Sequence, residues 1–140
     1  MTSFIADHFA TARVHITEQP TAFHRFAARW TPTVLMLGPD GKELRRVEGF
    51  LPADELLGQM KMALGYQAVA RKQWDRAASH FASVVRDHPD TEAAPEAQYW
   101  EGVARYSGTH DASHLQETAR RFKQKYASTG WAKRSSVWGG

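Results

Sequence analysis

RWTPTVLMLGPDGKELRRVEGF, from Arg29 to Phe50, carries the strand–turn–strand signal that decides the first half of this chain. Val34 to Leu37 is an unbroken apolar run, the pattern of a strand covered on both faces. In the turn GPDGK, Pro39 presets φ and Gly41 accepts a left-handed backbone. The partner strand ELRRVEGF carries Glu43, Arg45, Arg46 and Glu48, charges that suit a partly exposed edge.

Upstream, FIADHF (Phe4 to Phe9) reads as the end of an amphipathic helix, with Phe4, Ile5 and Phe9 on one face. ARVHIT (Ala12 to Thr17) alternates, Val14 and Ile16 against Arg13 and His15, and predicts a short strand. Thr21 is placed to cap a helix bearing Ala22, Phe23, Phe26 and Ala27. Downstream, Pro52 and Ala53 open a long helix through Leu56, Leu57, Met60 and Leu64. The expected order is helix, strand, helix, strand, hairpin, strand, helix, an α/β arrangement.

This order, the TPT triplet at Thr31 to Thr33, the PDGKE turn and Gly49 before a helix resemble the C-terminal three-quarters of a thioredoxin-like domain, over about Thr2 to Leu64. The resemblance implies a cis peptide bond before Pro32, whose trans form otherwise predominates. It also implies that the backbone of Thr31 pairs with an extended substrate peptide. The family's first core strand and CxxC motif would precede the helix ending at Phe9, and the chain has no counterpart of them. Either the redox part was lost, or these residues belong to a longer product in which Met1 is internal. In the family the missing strand sits between those matching Ala12–Thr17 and Thr33–Leu37. Buried backbone groups left unpaired cost about 1–3 kcal/mol each. Compensation is therefore expected: direct pairing of the two strands, pairing across a dimer, or disorder of the first twenty or so residues.

After Leu64 strand signals stop. LGYQAVARKQWDRAASHFASVVRDHPD resembles a tetratricopeptide repeat, with Gly65 for close helix approach, Ala77 and Phe81 at packing positions and Pro89 closing the unit. A second, degenerate unit starts near Pro95. Its Gly102 lies 37 residues after Gly65, against a usual repeat of about 34, and Leu115, Ala119 and Phe122 form its second stripe. The long helix from Pro52 is expected to continue into, or pack tightly on, the first repeat helix. A thioredoxin-like domain followed directly by two such hairpins resembles a bacterial family of thioredoxin-like proteins with a helical extension. That resemblance runs to about Ala132, and fuller members carry a cysteine motif in the segment absent here.

Composition narrows the function classes. The chain has 140 residues, 42% hydrophobic and 24% charged, the balance of a soluble globular protein. Having no cysteine, it can form no disulfide, thiolate metal site or thiol nucleophile of its own. No apolar run approaches the roughly 20 residues that span a bilayer, and MTSFIADHFATAR lacks the pattern of a secretory signal. A cytoplasmic location is the default expectation.

Other constellations give way to plainer readings. His110 and His114 have the four-residue spacing of paired helical ligands, but Asp111 reads as a helix cap that leaves His110 outside, and no third ligand is near in sequence. Ser79 and His80 are neighbours on different helix faces, and no GxSxG motif exists. From Arg120 to Gly140 there are six Lys or Arg and no acid, interleaved with Phe122, Tyr126, Trp131 and Trp138. Such a stretch can track nucleic acid. Phe122 and Tyr126 on the core side of a last helix, Trp131 as a lid, and cations at a helix C-terminus fit ordinary packing better. Tyr99 and Trp100, adjacent on a helix, cannot face the same way, so one is expected to line an exposed groove. Exposed aromatics anchor partners.

The expected fold is thus α/β: a truncated thioredoxin-like sheet at 1–64, an all-helical tetratricopeptide-like (TPR-like) extension at 65–132 and a basic tail at 133–140. The expected function is a non-catalytic protein-interaction module that binds a peptide or partner subunit through Trp30, Thr31, Pro32, Tyr99 and Trp100. The alternative is a fragment of a thiol–disulfide oxidoreductase. No cofactor and no metal is expected. A homodimer filling the missing strand is the third expectation, while nucleic acid and membrane are disfavoured.

Overall fold

The computed structural model describes residues 1–139. Helix α1 (Thr2–His8) lays Phe4, Ile5 and Phe9 onto a core of Met36, Val47, Met60 and Ala63, as the amphipathic pattern requires. Helix α2 (Pro20–Arg25) starts at Pro20 and has no side-chain cap, so Thr21 lies inside the first turn rather than at its cap. Proline has no N–H to satisfy at that position. Phe26 and Ala27 fall past the end of α2, with Ala27 at φ 50°.

Strands β1 (Thr33–Leu37) and β2 (Glu43–Glu48) form an antiparallel, two-stranded sheet. Val34 faces Val47 and Met36 faces Arg45, and the register shifts at Leu37, which pairs with Glu43. The turn between them has Gly41 at φ 79°. Period-two alternation puts Val34, Met36, Arg45 and Val47 on one face, and Met36 and Val47 are buried there. On the other face Arg46 donates to the Phe26 and Ala27 carbonyls at the end of α2. Leu35 remains half-buried and Leu37 exposed. Dense cover on both faces of the apolar run is therefore not found.

The expected strand Ala12–Thr17 does not form. Residues 10–21 are all exposed, with Val14 at 44% and Ile16 at 41% exposure, and a turn follows in which Gln19 N–H donates to the His15 carbonyl. Alternation stabilises a strand only where a ladder partner and a buried face exist. Here the segment has neither. Direct pairing with β1 is thereby overturned, and the outer edge of β1 has no ladder partner among the described residues.

Helix α3 (Ala53–Ala70) begins after Pro52, carries Asp54 and Glu55 in its first turn and runs unbroken past Leu64. One side gives Met60 and Ala63 to the sheet core. Another gives Met62 and Ala68 to a helical core with Ala77, Phe81, Val84 and Ala97. Helices α4 (Trp74–Asp87), α5 (Ala93–Thr109) and α6 (Ser113–Gln124) complete two helical hairpins, α3 with α4 and α5 with α6. Gly65 and Gly102 sit where those hairpins close. A Cβ on Gly65 would lie 2.7 Å from Phe81 Cδ1, and one on Gly102 2.9 Å from Thr118 Cβ. Close approach is thus required at both glycines, as the sequence predicts.

A half-buried polar contact joins the two halves. Arg45 of β2 donates to Gln59 Oε1 at 2.6 Å and makes a two-pronged pair with Glu96 of α5 at 3.1 and 2.5 Å. Tyr66 of α3 donates to the same carboxylate at 2.8 Å. Burial, with Glu96 alongside, pushes the Tyr66 phenol well above its ordinary value. Below this, His88 Nδ1 meets Asp54 at 2.5 Å and Lys61 pairs with Asp87 at 3.2 Å.

Residues 133–139, expected as a basic tail, are helical. Helix α7 (Gly130–Ser135) is capped by Thr129, and a 3-10 turn covers Ser136–Gly139. Tyr126, expected on the last long helix, lies beyond α6 at φ 69° and donates its hydroxyl to the Pro89 carbonyl.

Candidate functional site

The candidate site is the end of the sheet where β1 begins and β2 finishes. Gly49, at φ 88°, takes the left-handed conformation that favours glycine. That turns the chain so that its N–H donates to the Pro32 carbonyl at 2.7 Å. Thr33 Oγ1 donates to the Trp30 carbonyl at 2.6 Å and fixes the loop from the other side. Between these two bonds the Thr31–Pro32 peptide is cis, as the resemblance implies.

The surface so formed is apolar and open. Trp30 is 66% exposed and Phe50 80% exposed, although both are large hydrophobic side chains. Arg29 and Glu48 pair at 3.2 Å beside them. Thr31 N–H and C=O make no hydrogen bond among the described residues, and Thr31 itself is exposed. A backbone donor and acceptor are thus left open in the bend that carries Trp30 and Pro32. The Thr33 hydroxyl is already committed to Trp30, and Arg29 and Glu48 neutralise each other.

The structure brings Trp30, Thr31 and Pro32 together with Phe50, which the sequence reading did not single out. Its signal was present: an aromatic between Gly49 and the pair Leu51-Pro52 belongs to a loop, and Leu51 alone packs against the sheet core. Tyr99 and Trp100 fall elsewhere. The Tyr99 ring stacks on Trp138 at 4.7 Å and lies 5.3 Å from Trp131, while Trp100 meets Tyr66 edge-on at 5.6 Å. Both are half-buried and engaged with neighbouring rings, and Trp131 closes over α5 as the lid expected.

Cations of the C-terminal stretch are largely engaged. Arg120 pairs with Glu117, Arg121 with Glu101 at 3.1 Å, and Arg134 lies 4.2 Å over the Trp131 ring. His110 ends α5 at φ 59°, outside both flanking helices, and Asp111 accepts from the Ser113 N–H at 2.9 Å. No three His, Asp or Glu side chains group as metal ligands among the described residues, and no helix there is long and apolar enough to cross a membrane.

Residues 4–64 match the family model of the thioredoxin-like domain, close to the Thr2–Leu64 span that the hairpin and its flanking helices suggest. Comparison with curated proteins and with solved structures gives no match.

Proposed function

From a thioredoxin-like domain over residues 4–64, we propose a non-catalytic protein-interaction module that seats an extended peptide against Thr31. The observation that carries this reading is the pair Trp30 and Phe50, both exposed and joined through the Gly49–Pro32 hydrogen bond to a Thr31 backbone with unpaired groups. Aromatic side chains dominate the energetics of partner binding when a ligand covers them. The peptide backbone would bond Thr31, and its side chains would pack against the two rings. Helices α3 to α6 form TPR-like hairpins in this reading, with Tyr99 and Trp100 supporting the scaffold. Panning a random peptide library against the protein tests it. Enriched extended peptides should lose at least tenfold in affinity to Trp30→Ala or Phe50→Ala. Peptides indifferent to both substitutions, or no enrichment, would refute it.

A second reading rests on the unpartnered outer edge of β1. That edge fits a thiol–disulfide oxidoreductase whose cysteine-bearing strand lies outside these residues. It equally fits pairing with a second copy. The intact mass of the natural product separates redox fragment from finished chain. Sedimentation of this chain separates dimer from monomer, and a monomer removes the second-copy account.

A further inference from the structure

A cleft of about 360 Å³ lies where α1, the end of α3 and the start of α4 meet, lined by His8, Arg71, Gln73, Arg76 and His80 above a floor of Leu64 and Ala68. Gln67 completes its wall, and no carboxylate lines it. It lies apart from the Trp30–Phe50 surface in every lining residue.

The charges there are uncommitted. Outside the exposed 10–21 segment, every arginine except Arg71 and Arg76 pairs with a carboxylate or stacks on an aromatic ring among the described residues. The amides of Gln67 and Gln73 and the ring of His80 have no hydrogen-bond partner there either. His8 donates Nδ1–H to the Phe4 carbonyl at 3.0 Å, which leaves its Nε2 for a ligand. The α3–α4 turn that carries this set holds Lys72 at φ 56°, a conformation that favours glycine. The turn is fixed by Gln73 N–H donating to the Ala68 carbonyl at 2.9 Å, so Arg71 and Gln73 are presented from a defined backbone.

We propose that this cleft binds a small phosphorylated ligand. Two guanidinium forks present donors in the geometry that phosphate oxygens accept bidentately, and two amides and one His80 N–H add donors around them. The volume exceeds a single phosphate and sits at the lower end of small-molecule sites, and the Leu64–Ala68 floor suits an organic remainder. Arg71 and Arg76 place two positive charges at the cleft, and no carboxylate in its lining balances them.

Titration with inorganic pyrophosphate, with AMP and with citrate, at constant ionic strength, tests the assignment. Pyrophosphate and AMP should bind one to one, shift the amide resonances of residues 67–76 and 80, and weaken at least tenfold in Arg71→Gln/Arg76→Gln. The charge-matched control Arg13→Gln/Arg120→Gln should bind as the unmodified protein does. AMP tighter than pyrophosphate places the organic remainder on the apolar floor, and the reverse order assigns a second phosphate to the guanidinium and amide donors. The proposal is overturned if neither phosphate saturates, if citrate binds as tightly, or if the control loses as much. Because Arg71 and Arg76 are exposed, both double variants should keep the helical circular dichroism of the parent. Shift mapping on the unmodified protein decides the question without them.

Discussion

Replacing Gly65 with alanine puts a methyl group against the ring of Phe81. In an open helix that substitution gains about 1 kcal/mol by restricting the unfolded chain and improving helix propensity. Here the new Cβ would stand 2.7 Å from Phe81 Cδ1 and Cζ, about 1 Å short of a comfortable carbon–carbon contact. Phe81 is fully buried among Met62, Ala77 and Val84, with Tyr66 edge-on at 5.7 Å, so the ring has nowhere to turn. The helices must part instead. Overpacking of this kind costs about 1–3 kcal/mol, and the absence of slack puts Gly65→Ala at the upper end. The net loss is then about 2 kcal/mol, or a Tm lower by about 8 °C for a chain of this size. Gly58→Ala on the same helix is the internal control. Its Cβ would meet Thr91 Oγ1 at 3.4 Å and Ala93 Cβ at 3.5 Å, ordinary contact distances, so it should be neutral or stabilising. Urea unfolding followed by tryptophan fluorescence compares the two. Gly65→Ala as stable as Gly58→Ala would refute close helix approach as the reason for glycine. Phe81→Leu should also be less damaging in the Gly65→Ala background than alone.

Other perturbations follow from the same contacts. Glu96→Ala strands the largely buried Arg45 guanidinium and the Tyr66 hydroxyl and should destabilise by about 3–5 kcal/mol, whereas Arg45→Met/Glu96→Leu should recover most of that. A double variant no more stable than Glu96→Ala would contradict it. Glu96→Gln should bring the Tyr66 phenol back toward its ordinary range, read from phenolate absorbance in an alkaline titration. Burial, then His8 and Arg76, hold the His80 imidazole below its ordinary value. Protonation therefore favours the unfolded chain, and stability present above about pH 6.5 is lost as the pH falls. Thermal melts should show a shallower acid decline for His80→Gln, and an identical decline would remove His80 from the cause. Trp30→Ser and Phe50→Ser, at exposed positions, should change unfolding free energy by no more than about 0.5 kcal/mol.

Local chemistry made much of the fold legible. The GPDGK turn, the strand at Val34–Leu37 (though not its cover on both faces), the Pro52 start and the Gly65 and Gly102 contacts each depend on neighbours close in sequence or on one packing partner, and each is found. Ala12–Thr17 failed because alternation specifies a strand's faces without supplying a ladder. Whether a partner strand is at hand is a property of the whole sheet. Tyr126, read onto the last long helix, failed for a related reason. Tyr126 is held by a carbonyl at Pro89, 37 residues away, and Trp138 by the Tyr99 ring, contacts no local pattern encodes. At the site, Trp30 to Pro32 were visible through the TPT triplet. Phe50 joins them only through the Gly49–Pro32 hydrogen bond, and the phosphate cleft only through the meeting of three helices.

Because α3 lends opposite sides to two cores, a boundary drawn at residue 64 marks similarity and not a mechanical seam. Severing the helix there would leave Met60 and Ala63 with the sheet core but strip Met62 from Ala68, Phe81 and Ala97 of the helical core. Sheet and hairpins should accordingly open as one cooperative foldon, with α3 amides exchanging hydrogen at the rate of global unfolding. A ligand that tightens either end then protects both, and the shaft between them is a single helix eighteen residues long.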